Sequence, residues 1–151
     1  MTEKSQALCD LSAGDLIAGY AAGRLSPVEV LRSVLQRIEL WEPHLRATYL
    51  LRSEPSLLQT AQQAEQRWRR GQPAGPLDGV PVTIKENIAT AGDPMPLGTA
   101  AVALSPASVD SPPAARLAEA GAILVCKTTM PDYGMLSSGL SSFHPAARNP
   151  W

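Results

Sequence analysis

Gly75-Pro76-Leu77-Asp78-Gly79-Val80-Pro81-Val82-Thr83-Ile84-Lys85-Glu86-Asn87-Ile88 is a turn-rich run that feeds a short alternating strand ending in a lysine. Val80, Val82 and Ile84 recur at every second position and share one face, so Thr83 and Lys85 share the other. Two readings of Lys85 stand side by side. On a strand buried on both faces the ammonium loses hydration, which opposes its charged form and moves the amine toward base chemistry. On an outer strand, of the kind Pro81 marks, the same side chain reaches water and does nothing further.

Downstream, residues 89–107 are rich in Gly, Pro and small side chains and carry no helical or strand period, which predicts a long loop of the sort that serves function. Ser111 with Pro112 then predicts a capped helix to about Glu119, stopped by Gly121. Ile123 to Cys126 is a continuous apolar run, as in a strand buried on both faces. Strand, helix and strand in that order make a βαβ unit, which places both Lys85 and Lys127 at the carboxyl ends of parallel strands, where open α/β sheets build their sites. From the residues alone the two lysines are rivals.

Upstream the chain reads as helical. Ser12 with Asp15 has the spacing of a capping box ahead of a face of Leu16, Ile17, Tyr20 and Ala21 that Gly23 closes. Ser26-Pro27-Val28-Glu29 combines an N-cap serine, proline at the first helical position and an early glutamate. Val30, Leu31, Val34, Leu35 and Ile38 supply its apolar stripe, and Pro43 predicts a stop near Trp41-Glu42. Ala47 to Leu51 reads as a short strand. A third helix from Ser53 to Arg70 turns Leu57, Leu58, Ala61, Ala64 and Trp68 inward and stops at Gly71. Arg67, Arg69 and Arg70 read as a solvated helix end that complements the macrodipole. The fold class is therefore α/β, with N-terminal helices over residues 1–71 and the start of a mixed sheet with its βαβ unit over residues 76–151, in one partial domain.

Composition narrows the function classes. With 151 residues, 44% of them hydrophobic, the chain can bury a core. Thirteen Lys and Arg against fourteen Asp and Glu leave a net charge of -1, so no basic surface points to nucleic acid. Cys9 and Cys126 have neither CxxC nor Cys/His spacing, and no disulfide or metal centre is expected of them; Cys126 reads as a small buried apolar residue. The polar start, Met1-Thr2-Glu3-Lys4-Ser5-Gln6, and the absence of a long apolar run give a cytoplasmic expectation with no membrane partner. No Gly-x-Gly-x-x-Gly or Walker pattern calls for a cofactor, and His44 and His144, with no Gly-x-Ser-x-Gly in the chain, read as surface or hydrogen-bonding histidines.

The run around Lys85 resembles the amidase signature family, whose catalytic lysine sits in a Gly-x-Pro-x-x-x-Lys-(Asp/Glu)-Asn context. Those positions are Gly79, Pro81, Lys85, Glu86 and Asn87 here. The resemblance continues through Ser111 to Leu117, Ala120 to Asp132 and Arg148-Asn149-Pro150-Trp151, with Asp132 a mild departure from the family pattern. It implies the lysine role for Lys85, since Lys127 stands in a different context. In that family the lysine, neutral, takes a proton through a cis-peptide serine that activates a second serine. The second serine attacks a carboxamide carbonyl to give an acyl-enzyme.

Both serines of the family follow its Asn-Pro-(Trp/Tyr), here Asn149-Pro150-Trp151, so the resemblance implies a truncated amidase that carries the lysine, lacks the serines and is inactive alone. Ser137-Ser138 and Ser141-Ser142 precede that run and read as a polar loop near the site. The implied partner of the complete enzyme is a small amide. Within the family the alternative is the glutamine-hydrolysing component of an aminoacyl-tRNA amidotransferase, which releases ammonia from glutamine for a second protein. Outside it stand a non-catalytic remnant that self-associates through an open sheet edge, and Schiff-base chemistry at Lys85.

Overall fold

The computed structural model describes residues 7–151; the polar Met1–Gln6 segment, and with it the reading of the chain's start, lies outside the described residues. The described residues hold four α-helices and one three-stranded sheet, a mixed α/β arrangement. They fall into two compact units, both discontinuous in sequence. One takes in the chain up to Leu40, then Ser53–Pro81 and Glu119–Ile123; the other takes in Trp41–Arg52, Val82–Ala118 and Leu124–Trp151.

The first unit is helical. Helix α1 spans Ala13–Ala21, with the predicted box in place: Ser12 Oγ accepts the Asp15 amide at 3.2 Å and donates to the Asp15 carboxylate at 2.6 Å. Leu16 and Tyr20 bury themselves from its inner face, while Ala21 stays exposed. Helix α2 spans Pro27–Leu45, its first turn capped by Ser26 Oγ, which accepts the Val28 amide at 3.1 Å. The stripe read from sequence is graded: Val30 and Leu31 are fully buried and Val34, Leu35 and Ile38 lie at its partly covered edge.

The expected stop at Trp41-Glu42 does not occur. Pro43 lies inside α2, and the helix continues to Leu45. Proline removes one hydrogen bond, to the carbonyl four residues back, and Glu39 there stands near the surface, where water can take its place. Arg46, with φ of 52°, ends the helix after its amide has closed on Glu42 O at 2.9 Å.

Helix α3 spans Glu54–Arg69 and buries Leu57, Ala61 and Ala64. Its last turn departs from the solvated end that the sequence suggested. Arg67 folds back and forks onto Asp78, donating from Nε at 2.8 Å and Nη2 at 2.6 Å, while Arg69 pairs with Glu65 at the surface. Helix macrodipole complementation is available to any of the three arginines, but a bidentate match to a fully buried carboxylate outweighs it.

The second unit carries most of the sheet. Strands β1 (Thr48–Tyr49), β2 (Pro81–Lys85) and β3 (Ile123–Thr128) lie in the order β1-β3-β2. β1 runs antiparallel to β3, with Thr48 opposite Thr128 and Tyr49 opposite Lys127. β2 and β3 run parallel, as Ile123 N donates to Val80 O and Glu86 N to Thr128 O. Helix α4, Pro112–Glu119, connects them and completes the predicted βαβ unit. Ser111 does not cap it in the way expected; its hydroxyl donates to Ala89 O at 3.1 Å. β3 is the central strand, and Ile123, Val125, Cys126 and Lys127 are all buried, which accounts for the unbroken apolar run before the lysine. The long segment 89–107 has neither helix nor strand, only isolated bridges at Ala91 with Ala107 and Pro94 with Pro106.

Candidate active site

The alternation read along β2 is the alternation observed: Val80, Ile84 and then Glu86 are buried, while Thr83 and Lys85 are exposed. β2 is an outer strand of this sheet, so Lys85 ends it with its amine toward solvent and with no side-chain hydrogen bond or ion pair among the described residues. Its backbone is held firmly. Lys85 O accepts the Ile88 amide at 3.0 Å, and the next amide, Glu86 N, closes on Thr128 O at the end of β3 at 3.0 Å.

Lys127 has the opposite environment. Its side chain is fully buried at 0% exposure, and Nζ donates to Ile88 O at 2.9 Å and to Thr90 Oγ1 at 3.1 Å. Thr90 spends its single proton on the Asp93 carboxylate, so toward Lys127 it only accepts, as does the Ile88 carbonyl. Burial lowers the Lys127 pKa, a shift partly offset by the charge of Asp93. A depressed pKa alone would favour a base, but enclosure and two acceptor partners leave this amine no path to a reacting atom.

The Thr90–Asp93 end of the network is closed by Arg52, which forks onto Asp93 at 2.7 and 2.5 Å. Burial pulls the Asp93 pKa upward; the hydrogen bonds from Arg52 and Thr90 and the charges of Arg52 and Lys127 outweigh it and hold the carboxyl below the ordinary 3.8. A carboxyl with a depressed folded-state pKa stabilises above its unfolded value, and that contribution is lost as pH falls toward the folded value. Acid unfolding should therefore be steeper below about pH 4 in the native chain than in Asp93→Asn. Equal slopes in circular-dichroism titrations of the two would contradict this account of Asp93.

A second buried pair stands beside this network. Glu86 is 0% exposed and its Oε2 meets His144 Nε2, while Oε1 has no hydrogen-bond partner among the described residues. His144 is packed edge-on against Tyr49 and Phe143, with ring centroids 5.2 and 4.9 Å away. His144 is thus a hydrogen-bonding histidine, and His44 a surface one, the two options the sequence left open. Cys126 is fully buried, and burial pushes its thiol up to about 11.

The serine pairs serve structure. Ser141 Oγ donates to Gly98 O at 2.5 Å, and Ser142 meets both Asp132 oxygens, through Oγ at 2.5 Å and its amide at 2.9 Å. These contacts hold the Asp132 pKa down, the Ser142 hydroxyl contributing most. They also place the 141–142 loop against Gly98, whose φ of 68° and close approach to Pro131 O leave no room for a Cβ.

The arrangement therefore presents one free amine at the carboxyl end of a strand within a Gly-x-Pro-x-x-x-Lys-Glu-Asn run, above a buried set of charges. The Amidase family model matches residues 29–151. This chain belongs to the amidase family. A relative from Chloroflexus aggregans, the amidase-family component of its glutamyl-tRNA(Gln) amidotransferase, is 37% identical over 131 residues, which is 87% of this chain and 27% of that protein. The native peptide amidase of Stenotrophomonas maltophilia superposes with a TM-score of 0.80 at 30% identity, over 93% of this chain and 30% of that one. Fatty acid amide hydrolase, at 24% identity, shares the fold with a TM-score of 0.83 over 99% of this chain and 26% of its own. The amidase-family chain thus spans under a third of the length of these relatives.

In this amidase-family chain Lys85, Lys127, Asp93 and the Glu86–His144 pair all lie within the matched span. Sequence reasoning singles out Lys85 and Lys127 but misses Arg52, Thr90, Asp93 and the partnership of Glu86 with His144. Fifty-eight positions separate that last pair, and no local period signals it.

Proposed function

We propose that residues 1–151 are the lysine-bearing part of a carboxamide hydrolase, with Lys85 as the base of a Ser-cisSer-Lys site whose serines are of the kind the family carries after its Asn-Pro-(Trp/Tyr) run. The observation that supports this most is the contrast between the lysines. Lys85 offers an unpartnered amine at the carboxyl end of β2, whereas Lys127 is enclosed and donates to two acceptors. Open α/β sheets put reacting groups where Lys85 is. In this reading the chain works in the cytosol on a small amide, and the free edges of β1 and β2 take further strands or a second copy of the chain.

A second reading within the same chemistry is the glutamine-hydrolysing component of a glutamyl-tRNA(Gln) amidotransferase, favoured by the name of the Chloroflexus relative. The substrate would then be glutamine, and a partner protein would receive the ammonia. One experiment tests both. Residues 1–151 alone should show no amide turnover, because a base without nucleophile and oxyanion donors has nothing to activate. Joined to the C-terminal part of a homologous amidase, the chain should hydrolyse carboxamides, and a preference for glutamine over a simple alkyl amide selects the second reading. Enzyme-like turnover by the isolated chain would overturn the first.

A further inference from the structure

We propose that Lys127 and the Glu86–His144 pair are positioning residues for Lys85, two buried polar ties that fix the turn through Glu86, Asn87 and Ile88 and so set where the Lys85 amine projects. This role rests on the reading of Lys85 as the reactive amine and falls to buried groups which that reading leaves unused.

Lys85 is the last residue of β2, and past it the chain must leave the sheet without letting the lysine drift. The turn is stapled at both ends by main-chain bonds, Glu86 N to Thr128 O and Ile88 N to Lys85 O. Neither bond alone fixes a turn at the edge of a sheet, where water competes for both groups. The side chains supply the rest. At Ile88 the carbonyl is taken by Lys127 Nζ, which comes from the neighbouring strand and is itself anchored through Thr90 and Asp93 to Arg52. At Glu86 the carboxylate points to the face opposite Lys85 and closes on His144.

Lys85 therefore lies beside anchored neighbours while its own side chain touches no polar partner. Burying these charges is costly, and apolar side chains of the same volume would pack the interior at least as well. What charged partners add is direction, since a hydrogen bond fixes an angle that an apolar contact does not. The unpartnered Glu86 Oε1 fits this account: the carboxylate is retained at 0% exposure for one directed bond, with its second oxygen unsatisfied.

The test uses the 151-residue chain and its amide hydrogen exchange, read with 15N labelling. Lys127→Met and Glu86→Gln should each speed exchange at Ile88 and Glu86 (or the residue replacing it) by about tenfold, the loss expected when one hydrogen-bonded tie is removed. Amides of α1 and α3 should keep their native rates. The backbone amide signal of Lys85, one of three lysine signals in a 15N-lysine sample of the native chain, should move in both variants. His144→Gln, which retains an N–H donor for Glu86, should restore much of the protection that His144→Ala loses. A uniform rise in exchange across the chain, or unchanged rates at Ile88 and Glu86, would overturn the proposal. Local loss of protection together with full turnover after Lys85→Ala in the joined enzyme would keep the ties and remove the catalytic reading of Lys85, so the two failures are distinct.

Discussion

Replacing Lys85 with alanine in the joined enzyme should lower kcat/KM for a small carboxamide by at least about 10² to 10⁴, the usual worth of general acid-base catalysis. The loss can exceed that range, because groups that act as one unit fail together. Lys85→Ala removes an exposed side chain without a partner, so the folded state should barely register the change. That separation is what makes the experiment decisive: activity falls while the unfolding midpoint stays.

Lys127→Ala has the reverse profile. It empties a fully buried site and strips the Ile88 and Thr90 oxygens of their donor, so stability should fall first and turnover less than for Lys85→Ala. Full activity after Lys85→Ala, or a larger catalytic loss at Lys127 than at Lys85 with stability preserved, would transfer the base role to Lys127.

The contrast between the lysines also marks how far the sequence can be read. Capping residues, proline at helix starts and the alternation of Val80, Val82 and Ile84 act over a few residues, so α1, the start of α2, α4 and the βαβ order are legible from them. Lys85 is legible as a strand-end lysine, with its exposed face following from an outer strand. The end of α2 is not legible, because the cost of Pro43 depends on whether water reaches the Glu39 carbonyl, which only the fold decides.

The buried charges are hidden for a related reason. Glu86 meets His144 across fifty-eight positions and Arg52 meets Asp93 across forty-one, and no periodicity carries such a pairing. Arg67 reads with Arg69 and Arg70 as one solvated cluster, since nothing local distinguishes the arginine that turns inward from its neighbours. The one signal for it is Asp78 in Gly-Pro-Leu-Asp-Gly: an acid in a tight turn just before a buried strand needs a partner.

Arg67→Ala should accordingly be the most destabilising surface-to-core change in the helical unit, costing about 3–5 kcal/mol, the range for removing one partner of a buried ion pair. Asp78 is 0% exposed and accepts from Arg67 Nε at 2.8 Å, Arg67 Nη2 at 2.6 Å and the Ala74 amide at 2.9 Å. Two of these three bonds leave with Arg67, and the carboxylate cannot retreat to water. Its backbone is pinned by Trp68 Nε1, which donates to Asp78 O at 2.9 Å, and Gly121 approaches so closely that an added Cβ would stand 2.8 Å from the Asp78 Cα. Arg67→Lys keeps the charge but not the fork, and should fall between the native chain and Arg67→Ala. Arg69→Ala is the control: its side chain is 72% exposed in an i,i+4 pair with Glu65, and its loss should stay within about 0.5 kcal/mol. Urea unfolding of the four chains gives the ranking through the midpoints, provided the slopes agree. An Arg67→Ala midpoint equal to that of Arg69→Ala would mean that Asp78 finds another way to be neutralised, and that the fork from α3 is not what holds the turn ahead of β2.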